Sequence, residues 1–176
     1  MEKEASKILF DSQWKVYSHE TTESSWAFSS YKHIHTIQHA DDMVRFVSSI
    51  PTEAFHHTML FCMKENIKPM WESPENIHGG CYCLRVLNEH VPDVFRLVVS
   101  ALVTDELVVM NAIDHINGIS ISPKRGQFCI LKIWCKSTDY KDAASTFEES
   151  FVQELLPYLE PDDQTLIFRE NIDQKM

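Results

Sequence analysis

With 176 residues, 44% hydrophobic and 24% charged, the chain can bury a substantial core without disulfides or metal. Its formal net charge of -10 excludes the broad basic face that grips nucleic acid non-specifically, so any RNA contact rests on a few placed cations. No run reaches the ~20 apolar residues of a membrane span, MEKEASK lacks the apolar stretch of a signal peptide, and five cysteines without a C-x-x-C pair read as reduced thiols, which together predict a cytoplasmic protein without a membrane.

Residues 1–7 are expected to be flexible and the whole of 1–176 to form one domain, since no repeat, low-complexity tract or linker interrupts it. Ile8 to Tyr17 and Tyr31 to Gln38 read as strands, the second with His33 and His35 on one side, joined by the polar stretch SHETTESS that leads to Trp26. Acidic residues ahead of an apolar series, closed by a proline, place a helix at Asp41 to Ile50. Met59 to Met63 and Gly80 to Leu87 follow as strands around the loop NIKPMWESPENIHGG. VPDVFRLVVSALVTDEL is a helix with Pro92 in its first turn and Phe95, Val98, Val99 and Leu102 at helical spacing. Strands are then expected at Val108 to Ile113, Gly118 to Ser122 and Phe128 to Trp134, a third helix over DAASTFEESFVQELLPYL, and a closing strand at Thr165 to Phe168. Strands that run in pairs between three helices predict an α+β domain, with helices on the convex face of a curved antiparallel sheet and a slot on the concave side.

The four tryptophans differ in setting. Trp14 sits within a strand pattern and is the core candidate. Trp26 and Trp71 lie in polar, turn-rich stretches where a core role is hard to arrange, and Trp71 is followed by Glu72. Trp134 lies in an apolar strand and, on its own, reads as core. His33 and His35 with Cys81 and Cys83 could imitate a metal site, but nothing in the sequence brings the pairs together. No G-x-S-x-G, P-loop or HExxH occurs, so the chain reads as a binding module rather than an enzyme, without a cofactor.

IKPMWE followed by GG, with the tryptophans and this order of elements, resembles the translation initiation factor 4E family, the proteins that bind the 7-methylguanosine cap of messenger RNA; the likeness runs from Phe10 to Phe168. The resemblance implies that Trp26 and Trp71 stack on the cap base, Glu72 reads guanine, Trp134 touches the N7-methyl group, and Lys124 and Arg125, with Lys132 behind them, hold the phosphates. The family's helix-one tryptophan is missing: Met43 and Val44 stand in that helix, and a partner would meet Val44, Phe46, Phe95 and Val99 instead. A family lysine falls on Cys129 or Ile130 and a family arginine on Cys81, so phosphate binding is expected to be weaker or differently built.

The chemistry wants these residue types. Methylation at N7 gives guanine a delocalised positive charge, which two indole faces attract by stacking and by a cation–π term. A carboxylate at the base edge accepts from N1–H and the exocyclic amine together, a donor pair that adenine and pyrimidines lack. The resemblance therefore implies capped mRNA as ligand, a scaffold of the factor 4G type or another 4E-binding protein as partner, a monomer apart from that partner, and a role in translation initiation. The alternative is a cap-binding repressor or reservoir that does not recruit the usual scaffold.

Overall fold

The computed structural model describes residues 8–159 and 166–172; the expectation of a flexible 1–7 and the Thr165 start of the closing strand lie outside the described residues. Among the described residues, seven strands, β1 Leu9–Glu20, β2 Lys32–His39, β3 Thr58–Lys64, β4 Gly80–Leu87, β5 Ile116–Pro123, β6 Phe128–Cys135 and β7 Ile167–Glu170, form one sheet in the order β2-β1-β3-β5-β6-β4-β7. Every neighbouring pair is antiparallel. The helices are α1 Ala40–Ser49, α2 Ala54–His57, α3 Val91–Val103, α4 Ala143–Thr146 and α5 Glu149–Leu155. This is the α+β arrangement expected from strands in pairs.

Period-two alternation decides which face each strand residue serves. Trp14 and Val16 of β1, Leu60 and Cys62 of β3, Ile119 and Ile121 of β5, and Leu131 and Ile133 of β6 join the core under the helices. Tyr17, Phe61, Met63 and Trp134 point the other way and form a smaller apolar cluster with Tyr31, Met59, Ile67 and Trp71 around them. The α3 helix buries a broad apolar stripe and leaves Asp93 and Arg96 to solvent, and Phe95 meets Phe46 of α1 and Phe55 of α2 edge-on at 6.1 and 5.4 Å. The chain's assigned core tryptophan, Trp14, is 1% exposed.

Four expectations are corrected. The run Val108 to Ile113 is not a strand: Val108 makes a lone bridge to Phe147, and Met110–His115 coil into a 3-10 turn. Within that turn Ala112 is buried and Met110 exposed, a pattern that the β-branched letters around it hid. The third helix is two pieces, because Phe147 is extended to make that bridge and Glu148 N–H donates to the Leu107 carbonyl at 3.3 Å. Strand β1 runs on to Glu20, through residues that read as polar connection. His33 and His35 do not share a side: the register slips between Val16–His35 and Tyr17–His33, so His33 packs on Tyr17 while His35 stacks on Phe46 beneath the sheet.

Candidate functional site

On the face away from the helices, two loops stand over the small apolar cluster. The first joins β1 to β2 and carries Trp26. Its anchor is His19, which is buried on the cavity side of β1 and donates from Nε2 to the Ser25 carbonyl at 2.9 Å. The same imidazole lies flat on the Trp26 indole, ring centres 4.5 Å apart and planes 6° apart. Ser30 Oγ ties the loop back by donating to the carbonyls of Ser25 (2.9 Å) and Ala27 (2.7 Å). Trp26 is 51% exposed, so one of its faces is backed by His19 and the other is left toward the cavity.

The second loop joins β3 to β4 and carries Trp71 and Glu72. Proline breaks regular structure on both sides of that pair, and the turn is held from inside by Asn76, which is fully buried. Its amide donates to the carbonyls of Lys68 (3.0 Å) and Met70 (2.8 Å), while its Oδ1 accepts from Asn117 at 2.8 Å. Asn117 also donates to the Glu75 carbonyl, and Asn171 to the Asn76 carbonyl. Buried polar groups need partners, and these asparagines supply them to backbone that no strand satisfies. The loop ends at Gly79, where a Cβ would sit 1.8 Å from the Cys135 carbonyl oxygen, so only glycine lets the chain pass this close to β6. Lys68 Nζ lies 5.1 Å from the Phe28 ring and links the two loops.

Trp134 forms part of the floor, 7% exposed, its indole N–H donating to Ser120 Oγ at 2.9 Å. Phe61 lies edge-on to it at 6.3 Å and Tyr31 edge-on to Phe61 at 5.4 Å. Together these walls enclose a cavity of about 380 Å³ lined by Trp26, Tyr31, Phe61, Trp71, Glu72 and Trp134, with Lys124 and Lys132 at its polar side. Burial, and then the Glu72 carboxylate beside it, push the Tyr31 phenol up to about 12, so it stays protonated as a donor next to an acceptor. Indole faces, one carboxylate, one phenol and two ammonium groups suit a flat, electron-poor ring with a hydrogen-bonding edge and an anionic tail.

The fold thus brings six expected site residues to one cavity: Trp26, Trp71, Glu72, Trp134, Lys124 and Lys132. Arg125 is not on its wall; it stays in the solvent-facing turn between β5 and β6. The expected partner surface needs a larger correction. Phe46, Phe95 and Val99 are buried at 3%, 0% and 0% exposure and belong to the core, because they occupy the inward stripe of α1 and α3; only Val44, 54% exposed, faces out. Sequence reasoning missed His19, Tyr31 and Asn76. The first could have been found by carrying the β1 alternation two residues past Tyr17, whereas an asparagine inside a loop gives no such signal. His33/His35 and Cys81/Cys83 lie on strands with four others between them.

Residues 9–176 match the family model of Eukaryotic initiation factor 4E. A curated relative, Eukaryotic translation initiation factor NCBP of Triticum aestivum, is 28% identical over 154 residues, 87% of this chain; the chain spans only 58% of that relative's length. Among solved structures, C. elegans eIF4E-3 in complex with the 4E-binding protein Mextli matches with a TM-score of 0.76 at 17% identity, over 96% of each chain. Ascaris suum eIF4E-3 with m7G cap matches at 0.67 and 16% identity, over 77% of each chain. Schistosome eIF4E complexed with m7GpppG and 4E-BP gives 0.67 at 16%, over 85% of this chain and 79% of that one. At such identities the structural likeness speaks for the fold.

Proposed function

Because the chain belongs to the eukaryotic initiation factor 4E family, we propose that its cavity binds the 7-methylguanosine cap of mRNA and that the protein acts in translation initiation through a scaffold or 4E-binding partner. The observation that carries this reading is the convergence of Trp26, Trp71, Glu72 and Trp134 on one cavity from two loops and a strand. The methylated base stacks between Trp26, braced from behind by His19, and Trp71. Glu72 accepts from N1–H and the exocyclic amine, with Tyr31 beside it, and the N7-methyl group rests toward Trp134. Lys124 and Lys132 take the phosphates, and Arg125 remains outside that contact. Solved relatives described as holding an m7G cap or m7GpppG share this fold.

Each base–aromatic stack contributes roughly 1–3 kcal/mol, and a desolvated cation over an indole about 2 kcal/mol or more. Titrating 7-methylguanosine triphosphate against tryptophan fluorescence should therefore show quenching, with plain GTP markedly weaker. Trp71→Ala should lose most of this affinity in a folded protein, and Glu72→Ala about 1.5–3 kcal/mol together with the preference for guanine. A folded Trp71→Ala protein that titrates like the parent sinks the reading.

A second reading, a cap-binding repressor or reservoir, is favoured by one observation: the outer side of α1 presents Val44 without an aromatic anchor, since Phe46 is turned into the core. Buried aromatics commonly dominate protein interfaces. Binding of a scaffold-type peptide, and its sensitivity to Val44→Asp, decides between the two.

A further inference from the structure

Next to the cavity, on the same sheet face, β4 carries two thiols with no part in the cap reading. Cys81 and Cys83 are two apart on an extended strand, so they share a face, and their sulfurs are 3.6 Å from one another. Cys81 is buried and Cys83 partly exposed. The register sets Cys81 between Trp134 of β6 and Arg169 of β7, and Cys83 beside Lys132 of β6. Cys62, Cys129 and Cys135 are by contrast buried under the helices. A partly exposed sulfur opposite a lysine on β6, with an arginine one pair along on β7 and a second sulfur in contact, has the makings of an attacking and a resolving thiol.

We propose that Cys83 and Cys81 form a reversible dithiol–disulfide site that reacts with hydroperoxides. In the first step the Cys83 thiolate attacks a peroxide oxygen: an S–O bond forms, the O–O bond breaks, two electrons pass from sulfur to the peroxide, and the alkoxide or hydroxide leaves as the alcohol or water after taking a proton. In the second step the Cys81 sulfur attacks the sulfenic sulfur. The S–S bond forms, the S–O bond breaks, and the departing hydroxide takes the Cys81 proton and leaves as water. Two thiols and one hydroperoxide thus give one disulfide, one alcohol or water, and one further water.

The division of labour follows from the surroundings. Cys83 is the more accessible sulfur, and the contact with Cys81 first, then Lys132 and Arg169, hold its thiol below the ordinary value against the burial that opposes them. The contact with Cys83 first, and then burial, push the Cys81 thiol up, so it keeps its proton for the leaving group. Alternate residues of a strand are ~6.6 Å apart. The parallel side chains put the Cβ atoms at a similar spacing, wider than the ~3.5–4.5 Å of a relaxed disulfide, so closing the bond from the 3.6 Å sulfur contact bends β4 locally and leaves a strained, readily reduced disulfide.

The test needs no cap, so it stands apart from the cap reading. The full chain is treated with one equivalent of hydrogen peroxide, its remaining thiols are alkylated, and its peptides are weighed. The expected result is loss of two hydrogens from the peptide holding Cys81 and Cys83, reversed by dithiothreitol. Cys81→Ser should stop at a Cys83 sulfenic acid trapped by dimedone, and Cys83→Ser should give neither product. Under the same conditions Cys83 should alkylate on the order of tenfold faster than the buried thiols at neutral pH. Oxidation spread evenly over the cysteines, an unreactive Cys83 in the parent, or a parent protein that stops at the sulfenic acid without losing two hydrogens overturns the proposal.

Discussion

At the scale of single residues, the side chains that would touch a ligand depend on others that would not. Asn76 is the clearest case, because one amide serves the Lys68 and Met70 carbonyls and one carbonyl receives Asn117. Asn76→Ala leaves these groups buried without partners, which costs about 1–3 kcal/mol. The expected outcome is a lower unfolding midpoint together with weaker cap-analogue binding, since the loop that presents Trp71 and Glu72 loses its inner tie. Asn76→Asp should be no better, because a carboxylate has no N–H to give the two carbonyls. Unchanged binding in a measurably destabilised Asn76→Ala protein would show that the loop holds its shape without the amide. His19 plays the matching part for Trp26, and its ring can be traded for phenylalanine to separate stacking from the Ser25 contact.

At the scale of elements, helix α1 shows how a sequence pattern can place an element and misjudge its role. The amphipathic series Asp41 to Ile50 located the helix within a residue at each end. Which apolar side chains faced in was not legible, because the inward stripe is set by the position of α3 and by the His35 ring that stacks on Phe46. Edges that depend on long-range pairing fared similarly: β4 was read at its observed bounds from its bracketing turns, whereas the break at Phe147 required a bridge to Val108, 39 positions earlier in the chain. The entry into α1 rests on Asp42, whose carboxylate accepts from the N–H of Gln38 (3.1 Å) and His39 (3.0 Å) and from the His39 ring (3.2 Å). Against the burial that would raise it, these bonds hold the Asp42 carboxyl below its ordinary value. The folded value is depressed, so the stability it contributes is fully present above the unfolded carboxyl pKa of about 3.9 and is lost as pH falls through the folded value. Melting curves from pH 6 downward, roughly to pH 2, should therefore show a loss that Asp42→Asn lacks, and Asp42→Ala should cost about 0.5–2 kcal/mol near neutrality as a removed cap does. Parallel acid curves for parent and Asp42→Asn would remove Asp42 from the account.

At the scale of the whole molecule, charge sets what kind of RNA contact this chain can make. A net charge of -10 repels a polyanion, and the cations at the cavity are Lys124 and Lys132. Specificity must then come from the base, held by stacking and by Glu72, while the phosphates add a small, local term. Each phosphate neutralised on a single strand contributes about -0.7 to the slope of log affinity against log salt, so two contacts give on the order of -1 to -2. Capped RNA should show that shallow slope, and lengthening the RNA beyond the cap should add little affinity, because the rest of the surface has no excess of positive charge to offer. Lys132→Ala should weaken every capped ligand alike and flatten the slope by about 0.7, whereas Glu72→Ala should leave the slope alone and lose guanine selection. The two losses separate position from identity within one cavity. A slope steeper than about -3, or uncapped RNA binding as tightly as capped, would place the dominant contact on a cationic surface outside the cavity.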